Sequence, residues 1–100
     1  MGIRDKSYGD YGFAPGEEKK LKAFCQQPVF SEDLLLLECA KQSNQAIGSD
    51  LYFSIVKGLS YEVLDKKTWQ RYAKVDFYGY QRKTLALFRE ALIKCGRFPF

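Results

Sequence analysis

The stretch Val75–Gly96, VDFYGYQRKTLALFREALIKCG, is the clearest helical pattern in the chain and decides the fold. Asp76 is a natural N-cap, and Gly96 is a suitable stop. Between them, Phe77, Leu85, Phe88, Leu92 and Cys95 return near one direction at helical spacing, with Tyr80, Thr84 and Ala91 beside them. That stripe predicts a helix over 77–95 with an apolar face turned inward. Gly79, Arg82, Ala86 and Arg89 fall on the opposite side, flanked by Tyr78 on one edge and by Lys83 and Glu90 on the other.

Gly79 asks for a reason, because glycine inside a helix costs about 1 kcal/mol relative to alanine. An exposed seam of small residues, Gly79 and Ala86, gives one: another molecule can approach the helix backbone closely there. Arg82 and Lys83 supply long donors beside it. A helix entering a DNA major groove needs this combination.

Upstream, Ser60 caps a predicted helix, SYEVLDKKTWQRY, which Asp65 can divide. A short connection, 73–76, then leads into the long helix, which is the helix-turn-helix order. Lys66, Lys67, Arg71 and Lys74 lie on the first helix and in the turn, where phosphate contacts are made. Trp69 and Tyr72 are expected to pack the two helices together.

The rest of the chain reads as helices too. EEKKLKAFCQQ, after Pro15-Gly16, places Leu21, Phe24 and Cys25 on one stripe and ends before Pro28. Ser31 can cap the next helix, whose four consecutive leucines, 34–37, cannot share one face. That helix should be contacted on more than one side. Asn44–Lys57 predicts a third, lined by Ile47, Leu51 and Ile55, with Gly48 awkward in its interior and Ser49 or Asp50 able to restart it. Gly58 is its stop. Residues 1–14 show no periodicity and read as an N-terminal arm, flexible or docked. Residues 15–100 then form one helical domain, with the helix-turn-helix at about 60–95. No strand alternation is present, so the fold class is all-α: a small helical bundle with a C-terminal helix-turn-helix.

Charge is distributed unevenly. Residues 1–65 carry seven Lys/Arg and ten Asp/Glu, whereas residues 66–100 carry nine Lys/Arg against only Asp76 and Glu90. A basic C-terminal third points to a polyanionic partner, or else to a solvated basic face. The absence of histidine removes the commonest general base and the usual zinc ligand. Cys25, Cys39 and Cys95 form no CxxC pair and read as buried reduced thiols. Glu17-Glu18 and Glu32-Asp33 sit where helices should begin and complement the dipole there. The sequence therefore predicts no enzyme, no cofactor and no metal. No apolar run reaches membrane-spanning length, Lys6 is wrong for myristoylation at Gly2, and the expected location is cytoplasmic.

The segment from Gly58 to Gly96 resembles the C-terminal part of the ArpU- and RinA-like phage and prophage transcription regulators, which are themselves similar to the fourth helical region of sigma factors. Asp76 stands as the family's helix cap, Phe77-Tyr78-Gly79-Tyr80-Gln81-Arg82-Lys83 as its signature, and Thr84-Leu85-Ala86-Leu87-Phe88 as the aromatic and leucine run. Gln81 stands where the pattern expects arginine, and Tyr72-Ala73-Lys74-Val75 where it expects a proline-containing turn. The resemblance implies sequence-specific DNA binding and transcription control. The expected partners are double-stranded DNA and, beside it, RNA polymerase or a second copy of the chain, with no membrane and no small-molecule substrate. Tyr78, Gly79, Arg82, Lys83 and Ala86 are expected to face bases, and Lys66, Lys67, Arg71, Lys74 and Arg89 to face phosphates. The alternative is a helical adaptor or inhibitor that docks an acidic protein partner by the same basic helix.

Overall fold

The computed structural model describes residue 3, residues 6–67 and residues 73–99, with the side chains of 65–67 outside the description. Among these residues the chain forms α1 (Glu17–Cys25), α2 (Asp33–Ser43), α3 (Gly48–Val56), α4 (Tyr61–Lys67) and α5 (Lys74–Lys94), with 3-10 turns at Gly9–Tyr11 and Gln45–Ile47. No described residue lies in a strand, and the all-α expectation holds.

The helix ends follow local chemistry, at times by other residues than expected. At α1, Gly16 adopts a left-handed φ of 81°, and Oε1 of Glu17 accepts the Ala14 N–H at 2.8 Å. Glu32, not Ser31, occupies the N-cap of α2, with no side-chain capping bond. Its carboxylate is engaged elsewhere, accepting from Nε of Arg97 at 2.7 Å and from Nη2 at 3.2 Å. Asn44 Oδ1 accepts the Ala46 N–H at 3.0 Å and opens the 3-10 turn, after which α3 begins at Gly48. The expected cap of α5, Asp76, lies instead in its first turn. Ala73, extended at ψ 153°, precedes the helix, and its carbonyl accepts the Phe77 N–H at 2.9 Å. At the far end Gly96, at φ 71°, permits Arg97 N–H to bond Leu92 O at 2.8 Å and Gly96 N–H to bond Ile93 O at 3.1 Å. Those paired bonds satisfy the last carbonyls of the helix.

Two apolar clusters form the core, and α5 contributes to both. One gathers Phe13, Leu21, Cys25, Leu36, Cys39 and Ile55 around Leu85, Phe88 and Leu92. The other gathers Ala40, Ile47, Leu51 and Leu64 around Phe77. α2 lies against α5 and α3, burying Leu36, Cys39, Ala40 and Ser43, while Leu34 is 83% exposed. The leucine run thus divides as its crowding requires. Gly48 has a packing reason: a Cβ there would lie 2.7 Å from Cγ and 3.1 Å from Cα of Lys41. α2 and α3 approach at a point where only glycine fits.

Two expectations are corrected, and one alternative is decided. Cys95, placed on the inward stripe, is exposed, because the helix ends there and its last turn runs past the core. Of the two alternatives for the arm, flexible or docked, the described residues show the docked one. Phe13 is buried in the core cluster, and Tyr8 packs edge-on against it at 5.2 Å. Ser7 and Asp10 also bond reciprocally, Ser7 N–H to Oδ2 at 2.8 Å and Asp10 N–H to Oγ at 3.3 Å. Finally, α5 is not amphipathic in the simple sense, because Gly79, Gln81 and Ala86 are buried along with its apolar stripe.

Candidate nucleic-acid interface

The face of α5 expected to meet DNA is partly covered by the arm. A Cβ on Gly79 would lie 2.8 Å from the carbonyl oxygen of Ile3 and 3.0 Å from its Cγ1. Gly79 is therefore buried, and so is Ala86 at 7% exposure, packed into the core cluster that contains Phe13. The small residues do admit a close approach, but the molecule that approaches is the chain's own N-terminus. An exposed seam through Gly79 and Ala86 is thus corrected.

Arg82 is half-buried, and its Nε donates to the Lys6 carbonyl at 2.8 Å. Arg89, expected to face phosphate, is taken up inside the protein. Its Nε donates to Oε2 of Glu17 at 2.6 Å, and its guanidinium lies over the rings of Phe13 and Phe98, at 5.4 and 5.5 Å. The Tyr78 hydroxyl accepts the Tyr61 N–H at 3.0 Å, and the Tyr61 and Phe77 rings pack at 5.6 Å. These contacts join α4 to α5. Lys74 pairs with Glu62 across the same junction, with both side chains more than half exposed. Lys83 is half-buried on α5. Lys66 and Lys67 have side chains outside the description, and Trp69, Arg71 and Tyr72 lie outside the described residues. The connection expected at 73–76 is corrected, because α5 already begins at Lys74 and only Ala73 precedes it in extended form.

The charge asymmetry of the sequence has a partly internal purpose. Lys74, Arg89 and Arg97 of the basic third pair with Glu62, Glu17 and Glu32 of the acidic remainder. The Arg89 hydrogen bond, and then the Ala14 N–H, hold the Glu17 carboxyl below its ordinary pKa. Arg82 stands near Lys22 of α1 and the two arm tyrosines. Burial lowers the Lys22 pKa, and the Arg82 charge adds to that, against Glu18. Burial also pushes the Tyr8 hydroxyl up to about 12.

Sequence reasoning missed Ile3 and Lys6 as partners of α5. The aromatic density of 8–13, with Tyr8, Tyr11 and Phe13, was the available signal that the arm docks. It also missed Gln81, whose side chain is buried and whose Nε2 donates to Ser54 Oγ at 3.0 Å. A guanidinium at this position would have to leave its charge in the core, so the buried site favours a neutral amide.

Away from α5, a groove of about 360 Å³ lies between the end of α1 and the end of α3, lined by Cys25, Pro28, Phe30, Tyr52, Phe53 and Val56. Two of its side chains, Cys25 and Tyr52, are held in their neutral forms. Burial raises the Cys25 thiol to about 12, and the bond that Tyr52 donates to Asp33 at 2.6 Å raises the phenol to about 12. Among the described residues no cluster of ligating side chains could hold a metal ion, and no helix is long and apolar enough to cross a membrane.

No protein family, curated protein or solved structure matches this chain.

Proposed function

We propose that this chain is a DNA-binding transcription regulator of a phage or mobile element, presenting α4 and α5 to duplex DNA. The observation that carries this reading is the row Lys74, Tyr78 and Arg82, spaced at i, i+4 and i+8 along one side of α5, with Lys74 exposed and the other two half-buried. Val75 is 53% exposed beside it, and Lys83 is half-buried on its flank. In helix-turn-helix proteins the N-terminal residues of the second helix reach the base edges. Here Lys74 and Val75 are exposed at that end of α5, and Tyr78, Arg82 and Lys83 are half-buried. The Lys74–Glu62 pair is exposed on both sides, so water screens it, and a phosphate can replace the carboxylate. The resemblance of residues 58–96 to phage regulators points the same way.

Titration against random duplex DNA across a salt series tests the reading. Affinity should fall steeply with salt, and changing Lys66, Lys67 and Lys74 together to alanine should flatten the slope by about one unit for each lost phosphate contact. On a preferred site, Arg82→Ala should cost roughly 1–3 kcal/mol and relax base choice.

The second reading, a helical adaptor or inhibitor docking a protein, gains from the groove of mixed polar and apolar lining. Phe53 in its lining is 43% exposed, and Val29, between the lining residues Pro28 and Phe30, is 81% exposed. Absence of duplex binding at low salt would favour this reading.

A further inference from the structure

The groove between the ends of α1 and α3 brings three kinds of chemistry together. Aromatic rings wall it. Tyr52 and Phe53 meet edge-on at 5.3 Å, and Phe30 is held by Phe24 at 5.4 Å and by Phe88 at 6.2 Å. A carboxylate stands in the same lining: Asp33, whose Oδ1 accepts the Tyr52 hydroxyl at 2.6 Å. That bond sets the direction of the carboxylate, and an ionised carboxylate accepts further bonds at its second oxygen. Lys57 adds an ammonium. Both charged side chains are exposed, Asp33 at the start of α2 and Lys57 just after α3. Gln26 Nε2 donates to the Ile55 carbonyl at 3.0 Å, which ties the end of α1 to α3 and fixes the spacing of the two walls. The volume of about 360 Å³ lies within the range of small-ligand sites.

We propose that this groove binds a small zwitterion, an aromatic α-amino acid, with its ammonium on Asp33, its carboxylate on Lys57 and its ring among Phe30, Tyr52 and Phe53. Charge complementarity selects this occupant. A ligand carrying only a cation would meet Lys57 with like charge, and one carrying only an anion would meet Asp33 the same way. A wholly apolar ligand would take both charged groups out of water and return no hydrogen bond. The zwitterion satisfies both. Its ring packs offset or edge-on against the aromatic walls, and its ammonium is attracted by their faces. The groove is lined from α1, from α3 and from the stretch that leads into α2, so the proposal stands independently of the DNA-binding reading.

The experiment titrates the full chain with L-phenylalanine and follows amide proton–nitrogen correlation spectra. Shifts should gather at Gln26, Phe30, Asp33, Tyr52 and Lys57. N-acetyl-L-phenylalanine, which keeps only the carboxylate, should bind about tenfold more weakly, because it loses the oriented Asp33. L-phenylalaninamide, which keeps only the ammonium, should bind about threefold more weakly, because Lys57 is a flexible, exposed partner. The variants should reproduce these losses ligand by ligand. Asp33→Asn should weaken L-phenylalanine about tenfold and leave the N-acetyl derivative no weaker. Lys57→Gln should weaken L-phenylalanine about threefold and leave the amide no weaker. A merely structural effect of either substitution would weaken all three ligands alike, and that result overturns the proposal. So does an L-phenylalanine titration that shifts no amide of the groove, or equal affinity for the three ligands. Should Asp33→Asn fail to fold in a thermal melt, the Lys57→Gln pattern and the three-ligand comparison in the wild type decide the matter.

Discussion

The Nε of Arg89 donates to Oε2 of Glu17 at 2.6 Å, joining the C-terminal half of α5 to the first turn of α1 across 72 residues of sequence. Both side chains are largely withdrawn from water, at 23% and 12% exposure. Removing the carboxylate charge leaves the guanidinium with the two aromatic rings alone. Glu17→Gln should therefore lower the unfolding free energy by about 1–2 kcal/mol in urea denaturation at neutral pH.

The same pair predicts an acid limb. The Arg89 hydrogen bond holds the folded Glu17 carboxyl below its ordinary value of 4.5. A depressed folded pKa means that the stabilisation is fully present above the unfolded value and is lost as pH falls through the folded one. Stability measured between pH 6 and 3 should decline less in Glu17→Gln than in the wild type. Equal declines would show that Glu17 contributes nothing to the acid response.

Gly48→Ala should destabilise the protein by about 1–3 kcal/mol, although helix propensity alone favours alanine by about 1 kcal/mol. The new methyl would meet the α2 backbone at Lys41, at 3.1 Å from Cα and 3.2 Å from N, as well as Cγ. A denaturation curve shifted to higher midpoint would mean that the helices part without cost.

Gln81 and Ser54 form a buried chain of hydrogen bonds, Gln81 Nε2 to Ser54 Oγ at 3.0 Å and Ser54 Oγ to Leu51 O at 2.8 Å. Ser54→Ala strands the amide and should cost about 1–3 kcal/mol. Gln81→Arg should cost more, about 3 kcal/mol or above, because the group it meets at that buried position is the neutral Ser54 hydroxyl. Thermal melts of both variants rank the two costs directly.

Position within α2 separates leucines that look equivalent. Leu36→Ala, at a site with 0% exposure, should cost about 2–5 kcal/mol. Leu34→Ala, at 83% exposure, should stay within about 0.5 kcal/mol of wild type. Comparable losses at both positions would place Leu34 in an interface in solution.

Local chemistry in the sequence determined that the chain is helical, and roughly where each helix lies. Periodicity placed Phe77, Leu85, Phe88 and Leu92 on one inward face, and Gly58 and Gly96 marked helix ends, because capping and apolar spacing act over a few neighbouring residues. Tertiary structure alone decided what became of the opposite face of α5. A helical wheel gives the direction of each side chain but not what lies in that direction. Gly79 and Ala86 point away from the main stripe, as read, and are buried nonetheless, because the arm and the core close over them. Likewise the basic excess of residues 66–100 was legible as charge, whereas its pairing with Glu17, Glu32 and Glu62 was not. The Glu17 and Glu32 pairs join residues 72 and 65 apart along the chain, and only the packing of α1, α2 and α5 brings their ends together.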